Sequence, residues 1–575
     1  MRQLDEILRR IDHRPYPAYK DLRGSYRFPK YTLHIDHVQG DPFAAPSSLR
    51  LEIPSQTHKL PPEHYANAHR RIMAQDYLLR KFAFQLRNFS KKAGGSGKSG
   101  VMDVTRPHQE VLDRSALQID SKTGVISVRF HAGFPAAGRT TLAGELRKML
   151  FEYLTAAVDK SLAGPAIKQQ ELASWIALSD DQQAIRDALP GMGLVAFVGN
   201  GAILPRKSGV QDSPMLDAVP FKTPKEDEVE ISLPGNRKIK GMGVRQGITL
   251  IVGGGYHGKS TMLKALERGV YNHIPGDGRE YVITEDTACK LRAEDGRSIM
   301  DIDISPFIRD LPSKRDTVNF STEDASGSTS QAAAVVEAYL SGGKTFLIDE
   351  DTSATNFLVR DALMASVVHR DKEPIIPFLD RMKELSAMGI SIVLVAGSSG
   401  AFFNVADNVI QMDEYVPVNI TEKAWQAVGR STESADNKLM STENPEASVP
   451  SLRFRADPRI PLPNRELLTD RRVKVRASGT DNVSINHESV EVRFVEQLID
   501  NEQTNLLAQL LKELQTKVFD GKTPLSACLE KTYERLLKNG FSAFFRAEDM
   551  PANLAMARKQ ELFAMVNRTR NIKLT

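Results

Sequence analysis

A chain of 575 residues is longer than one hydrophobic core organises, so at least two domains are expected. Its 76 basic and 72 acidic residues leave a formal net charge of +4, which excludes an overall polycation and makes any nucleic-acid footprint a local matter. Two cysteines, Cys289 and Cys528, cannot build a disulfide framework or a zinc knuckle, and no apolar run reaches the roughly 18–20 residues of a membrane helix. A soluble, cytoplasmic protein without a membrane partner is the expectation.

At the N-terminus, MRQLDEILRRID sets Leu4, Ile7, Leu8 and Ile11 at helical spacing, and its acidic residues argue against a transit peptide. HIDHVQGD offers His34, Asp36 and His37, too few ligands for a metal site on their own. YANAHRRIMAQDYLLRKFAFQL reads as a helix, and the basic segment at its end interleaves Phe82, Phe84 and Phe89 with lysines and arginines. Such phenylalanines are more often core than a stacking platform for single strands. KKAGGSGKSG (91–100) has the letters of a phosphate-binding loop, but Lys92 stands where the motif needs glycine and no buried strand feeds it. A mobile, lysine-flanked loop that could touch a nucleic-acid backbone is expected there. GVISVRF and GMGLVAFVGNGAIL read as strands, and an N-terminal α+β domain is expected over 1–225.

Over 226–420 the strand candidates GITLIVGG, YVITE, KTFLIDE and SIVLVAG alternate with helices, which implies an α/β core with a parallel sheet. Within it, IVGGGYHGKST satisfies G-x-x-x-x-G-K-[ST] through Gly253, Gly254, Gly255, Tyr256, His257, Gly258, Lys259 and Ser260, with Thr261 following. An apolar strand precedes the loop and a helix follows it. Glycines let successive backbone N–H groups point inward, and the helix N-terminus adds partial positive charge. Lys259 is predicted to reach the β- and γ-phosphates of ATP, and Ser260 to ligate Mg2+. KTFLIDED then places Asp349 and Glu350 at a strand end: Asp349 suits the metal, Glu350 the orientation of an attacking water. Between the two motifs, Ser326, Gly327 and Ser328 open an alanine-rich helix and form a second candidate phosphate contact. LSGGK (340–344) ends that same helix and is expected to do no more than stop it.

The C-terminal α+β domain is expected over 421–575, with a polar linker at about 431–450. It carries a basic stretch with Arg453, Arg455, Arg459, Arg465, Arg471, Arg472, Lys474 and Arg476. In RRVKVRA, strand alternation puts Arg472, Lys474 and Arg476 on one face, a stripe that suits a phosphate backbone or is a solvated charged face; Arg471, Arg472, Lys474 and Arg476 are the candidate contacts for a nucleic-acid strand, single-stranded RNA if the family resemblance below holds.

The blocks IVGGGYHGKSTML, GVYNHIPGDGREYVIT, AEDGRSIMDIDISPFI, FSTEDASGSTSQAA, IDEDTSATNFLVRD and VAGSSGAFFNVADNVIQM together resemble the family of predicted ATPases of the ABC class. This is a stand-alone soluble branch with RNA-associated members in kinetoplastid mitochondria. The resemblance covers nearly the whole chain, most weakly over 431–450. It implies an ABC-type P-loop ATPase core in which Ser326–Ser328 take the place of the signature and DTSATN that of the D-loop. Gly397 and Ser398 stand where the ABC switch histidine is usual, and no glutamine loop is evident. An ABC signature closes over the nucleotide of a facing subunit, so a chain with one P-loop and one signature is expected to work as a head-to-tail homodimer. The expected function is an ATP-gated ATPase coupled to RNA or other nucleic acid; the alternative is an ATP-gated protein-interaction switch without nucleic acid.

Overall fold

A computed structural model describes residues 1–209, 211–360, 373–430, 451–470 and 473–575. The expected linker at 431–450 and two of the predicted RNA contacts, Arg471 and Arg472, lie outside the described residues. The chain forms two compact units, one made of 1–183, 272–275 and 536–556, the other of 184–271, 276–535 and 557–575.

The first unit is built on an antiparallel sheet in the order Gly24–Arg27, Thr32–His37, Ser47–Ile53, Ile126–Ala132 and Met102–Asp103, with Leu117–Ile119 also paired to Ile126–Ala132. The N-terminal helix Arg2–Ile11 buries Leu4, Leu8 and Ile11, as its spacing predicts. Helix Ala68–Phe89 buries Phe82, which meets Phe130 edge-on at 6.0 Å, and its Phe89 stacks on Tyr153 at 5.5 Å. Phe84 alone of the three stays largely in solvent, at 64% exposure. Asp36 pairs with Arg50 at 3.3 Å, and His34 Nε2 lies 3.3 Å from the Glu52 carboxylate.

The loop 91–100 differs from its expectation. Its backbone is pinned at several points: Lys91 N–H to Gly100 O (2.7 Å), Ser96 N–H to Ala136 O (2.7 Å), Lys98 N–H to Pro42 O (2.8 Å) and Gly100 N–H to Gly133 O (2.9 Å). Gly100 has φ +74°, and a Cβ there would lie 2.0 Å from the Ala93 carbonyl oxygen. The glycines serve tight packing, where composition alone suggests slack.

In the second unit a six-stranded sheet runs Cys289–Leu291, Thr345–Asp349, Ser391–Val395, Ile248–Val252, Asn408–Asp413 and Val416–Asn419. The first five are parallel and the last closes a hairpin on the edge. The central strands Thr345–Asp349 and Ser391–Val395 are buried at every position, which is the continuous apolar run of a sheet covered on both faces. This is the predicted α/β core. YVITE, however, belongs elsewhere: Val282–Thr284 joins Leu194–Gly199, Arg237–Arg245 and Glu228–Leu233 in an antiparallel sheet. A short apolar run reads alike in either kind of sheet, and pairing decides. A three-stranded meander, Val475–Ser478, Asn482–Ile485 and Glu488–Glu491, packs beside helix Asn501–Glu513, whose Asp500 cap accepts the Glu502 N–H at 2.9 Å.

Candidate nucleotide site

Strand order brings the site together. Ile248–Val252 delivers the P-loop and Thr345–Asp349 delivers the carboxylates, and Ser391–Val395 lies between them. All three run parallel, so their C-terminal ends open on one edge of the sheet, where α/β proteins place their ligands.

The P-loop backbone is one that only this sequence pattern tolerates. Gly253 has φ +138°, and a Cβ there would stand 2.4 Å from the Met412 carbonyl oxygen. Gly258, at φ +100°, caps helix Lys259–Arg268. Tyr256 takes φ +64° at the crest and is 98% exposed. The edge hairpin holds the loop from the side. Its two-residue turn, Glu414 (φ +45°) and Tyr415 (φ +70°), has the left-handed pair of a type I′ turn. Glu414 N–H donates to His257 Nδ1 at 3.0 Å and Tyr415 N–H to the His257 carbonyl at 3.1 Å. His257 is thereby a buttress of the loop, its Nδ1 also lying 3.2 Å from Asp413 Oδ1. Lys259 Nζ donates to the carbonyls of Gly253 and Gly254, both at 2.8 Å, so its ammonium lies over the loop.

Asp349 is buried at its strand end and accepts the Asp351 N–H at 3.2 Å. Glu350 is half-buried, and the turn after Ser391–Val395 surrounds its carboxylate. Oε2 accepts the N–H groups of Gly397 (2.6 Å) and Ser398 (3.0 Å), and Oε1 accepts the Ser398 hydroxyl. A Cβ on Gly397 would sit 3.9 Å from Lys259 Cε and 4.0 Å from Glu350 Oε2. The lysine and the carboxylate therefore flank one residue. The oxygen donors of Ser260 and Asp349 are those that suit Mg2+, and the glycine cradle leaves the space within 4 Å of a Gly255 Cβ open. The residues present fit a magnesium–nucleotide complex.

Ser326 is the N-cap of helix Gly327–Leu340, as its sequence position predicts. Its hydroxyl does not cap a backbone amide; it pairs with those of Thr329 (2.9 Å) and Ser328 (3.4 Å) on an exposed surface. Gly327 packs tightly, since a Cβ would lie 3.2 Å from Asp295 Oδ1. At the other end of the helix, LSGGK forms a helix stop: Gly342 at φ +81° donates to Tyr339 O and Gly343 to Ala338 O, both at 2.9 Å.

Three residues without a recognisable sequence signal, Gln331, Lys290 and Gln497, tie this site together. Gln331, fully buried on the signature helix, donates to Ser353 Oγ and accepts the Ala354 N–H, each at 2.9 Å. Ser353 in turn bonds the Asp349 carbonyl at 2.8 Å, so helix, D-loop and carboxylate strand are one unit. Lys290 Nζ reaches Thr352 Oγ1 at 3.3 Å, and burial holds its pKa below the usual lysine range against the pull of Glu496, 3.8 Å away. Gln497 accepts the Lys290 N–H (2.9 Å) and donates to the Glu267 carbonyl (3.2 Å), joining that segment to the end of the P-loop helix.

The basic stretch is divided. Lys474 and Arg476 are exposed and alternate as predicted. Arg459 is buried, with Nε and Nη2 on the Asp457 carboxylate at 2.7 and 2.9 Å and Nη1 on Asn567 Oδ1 at 2.6 Å. Arg455 pairs with Asp303 at 3.3 Å. Burial removes Arg459 from any surface stripe.

A phosphate loop, a carboxylate pair and a signature helix on one α/β sheet define a P-loop protein of ABC type. The chain belongs to the ATPases of the ABC class: residues 1–164 match the N-terminal region of ABC-class ATPases, 168–447 the P-loop domain of ABC ATPases, and 474–575 the MRB1590 C-terminal domain. It is 34% identical over 216 residues to the uncharacterized protein MJ1628 of Methanocaldococcus jannaschii, a match over 34% of this chain and 47% of that relative, so it spans about half the relative's length. Among solved structures it is similar to MJ1267 in its ADP conformation, an ATP-binding cassette of an ABC transporter. That likeness has 12% identity and a TM-score of 0.25, covering 41% of this chain and 95% of that one. It is also similar to cbiO1 of Clostridium perfringens, part of the ABC transporter complex cbiONQ, at 12% identity and TM-score 0.26, covering 41% and 91%. Among the described residues no helix is long and apolar enough to cross a membrane.

Proposed function

We propose that the chain binds ATP with Mg2+ at Lys259 and hydrolyses it at Glu350, as an ATP-gated homodimer coupled to single-stranded RNA. The observation that carries the reading is the flanking of one residue, Gly397, by Lys259 and Glu350, which sets a phosphate ligand and a water-orienting carboxylate at one place. Glu350 accepts a proton from the water whose oxygen attacks the γ-phosphorus. The bond from that phosphorus to the bridging oxygen breaks with its electron pair leaving on ADP, and phosphate is released. Lys259 and the loop amides bind and orient the phosphates. Ser260 and Asp349 would hold Mg2+, which when bound would neutralise charge on the phosphate oxygens.

The exposed hydroxyls of Ser326 and Ser328 at the start of a 14-residue helix support closure over a second subunit's nucleotide. The RNA partner is supported by exposed Lys474 and Arg476 and by the resemblance to a family with RNA-associated members. Gel filtration with light scattering tests assembly: a Glu350→Gln variant with ATP runs as a dimer, and monomer alone under those conditions refutes the homodimer. Oligo-U binding at two salt concentrations, with and without ATP, tests the partner. A salt-sensitive shift that responds to ATP supports RNA; its absence leaves the protein-interaction switch.

A further inference from the structure

The turn after Ser391–Val395 gives all of its side-chain-directed donors to Glu350. Strand order forces it between P-loop and carboxylate strand, so whatever residue stands there must meet both Lys259 and Glu350. The turn is fixed at both ends. Ala396 N–H donates to the Ile251 carbonyl of the P-loop strand at 3.0 Å. Ser399 Oγ accepts the Ala401 N–H at 3.3 Å, and Phe402, three residues on from Ser399, is fully buried. Between these anchors Gly397 and Ser398 present two N–H groups and one hydroxyl, and all three go to Glu350.

A carboxylate has about four acceptor positions, two on each oxygen. Two amides occupy Oε2 completely. The Ser398 hydroxyl takes one position on Oε1 and leaves a single one, which is what a base needs to hold one water in one direction. We infer that Ser398 is a positioning residue for hydrolysis: with the amides of the turn it fixes the rotamer of Glu350. Ser398 acts through Glu350 and not on the nucleotide, and this inference rests on the proposed role of Glu350.

The consequence is a split between binding and turnover. A hydrogen bond to a charged group is among the stronger ones in proteins, so Ser398→Ala lowers kcat by about tenfold or more. KM and the affinity for a fluorescent ATP analogue stay within about twofold, because Lys259 and the P-loop are untouched. Ser398→Thr keeps the hydroxyl and restores turnover. The losses are not additive: Glu350→Gln combined with Ser398→Ala is no slower than Glu350→Gln alone, since the serine has no carboxylate left to hold.

The experiment is steady-state phosphate release by the full chain and these four variants, with analogue binding measured in parallel. The tenfold kcat loss, preserved affinity, threonine rescue and non-additivity are the expected result. Turnover that Glu350→Gln reduces to a small residual rate but Ser398→Ala leaves unchanged overturns this inference and spares the reading of Glu350. A further loss of the same factor in the double variant overturns it as well, because the serine then acts independently. Failure of threonine to rescue, or weakened analogue binding in Ser398→Ala, also overturns it. A full chain that releases no phosphate overturns both this inference and the hydrolysis it rests on.

Discussion

Arg459 is the residue at which charge counting and structure part most clearly, and replacing it makes a quantitative test. Its guanidinium is buried and meets Asp457 through two nitrogens and Asn567 through a third. Arg459→Ala leaves the Asp457 carboxylate buried without its counter-ion and Asn567 without its donor. Breaking a buried ion pair by removing one partner costs about 3–5 kcal/mol. The second unit's unfolding transition in urea, followed by tryptophan fluorescence (Trp425 lies in that unit) and circular dichroism, is expected to lose that much stability. Replacing both partners at once, as Asp457→Leu with Arg459→Met, costs clearly less than the single change, because no uncompensated charge stays behind. Arg476→Ala, on the exposed strand, shifts the transition by no more than about 0.5 kcal/mol. A loss below about 1 kcal/mol for Arg459→Ala, or equal losses for Arg459→Ala and Arg476→Ala, refutes the reasoning and returns Arg459 to the surface.

Gly253→Ala requires both a left-handed backbone and a Cβ 2.4 Å from a carbonyl oxygen, so ATP-analogue affinity is expected to fall by at least about tenfold; unchanged affinity contradicts the loop geometry. Gln331→Ala strands the Ala354 N–H and takes away the donor to Ser353 Oγ, which keeps its bond to the Asp349 carbonyl, and is expected to cost about 1–3 kcal/mol in urea unfolding of the second unit. In the first unit, burial depresses the pKa of His58 below the ordinary 6.5, its bond to the Gly124 carbonyl opposing in part. The unfolded chain then takes up the proton first, so this contribution is complete above about pH 6.5 and falls as pH drops below it. His58→Gln removes that dependence, and the difference between the two chains' urea midpoints is expected to change with pH only below about 6.5.

The P-loop, the carboxylate pair, the signature position and the helix stop at LSGGK are legible in the sequence because each is a local requirement. Gly258 must cap a helix, Asp349 must end a buried strand, and Gly342 must turn left-handed where the helix closes. What the sequence does not disclose depends on which strands become neighbours. The partnership of Ser398 with Glu350 follows from one strand lying between two others, a fact of sheet order. The same limit explains YVITE, assigned to the wrong sheet, and Arg459, whose burial is made by Asn567 from the far end of the chain. In KKAGGSGKSG the motif test gave the right exclusion, while the glycines' packing role needed Pro42, Gly133 and Ala136 to be seen.

The proposed hydrolysis requires Lys259 and Glu350 to serve one site. Phosphate release from ATP by the full chain with Mg2+, set against Lys259→Ala and Glu350→Gln, tests that most directly. The predicted result is measurable turnover that Lys259→Ala abolishes and Glu350→Gln reduces to a small residual rate, with ATP-analogue binding lost in Lys259→Ala and retained in Glu350→Gln. Turnover that survives Glu350→Gln unchanged, or a full chain that binds the analogue without releasing phosphate, contradicts it.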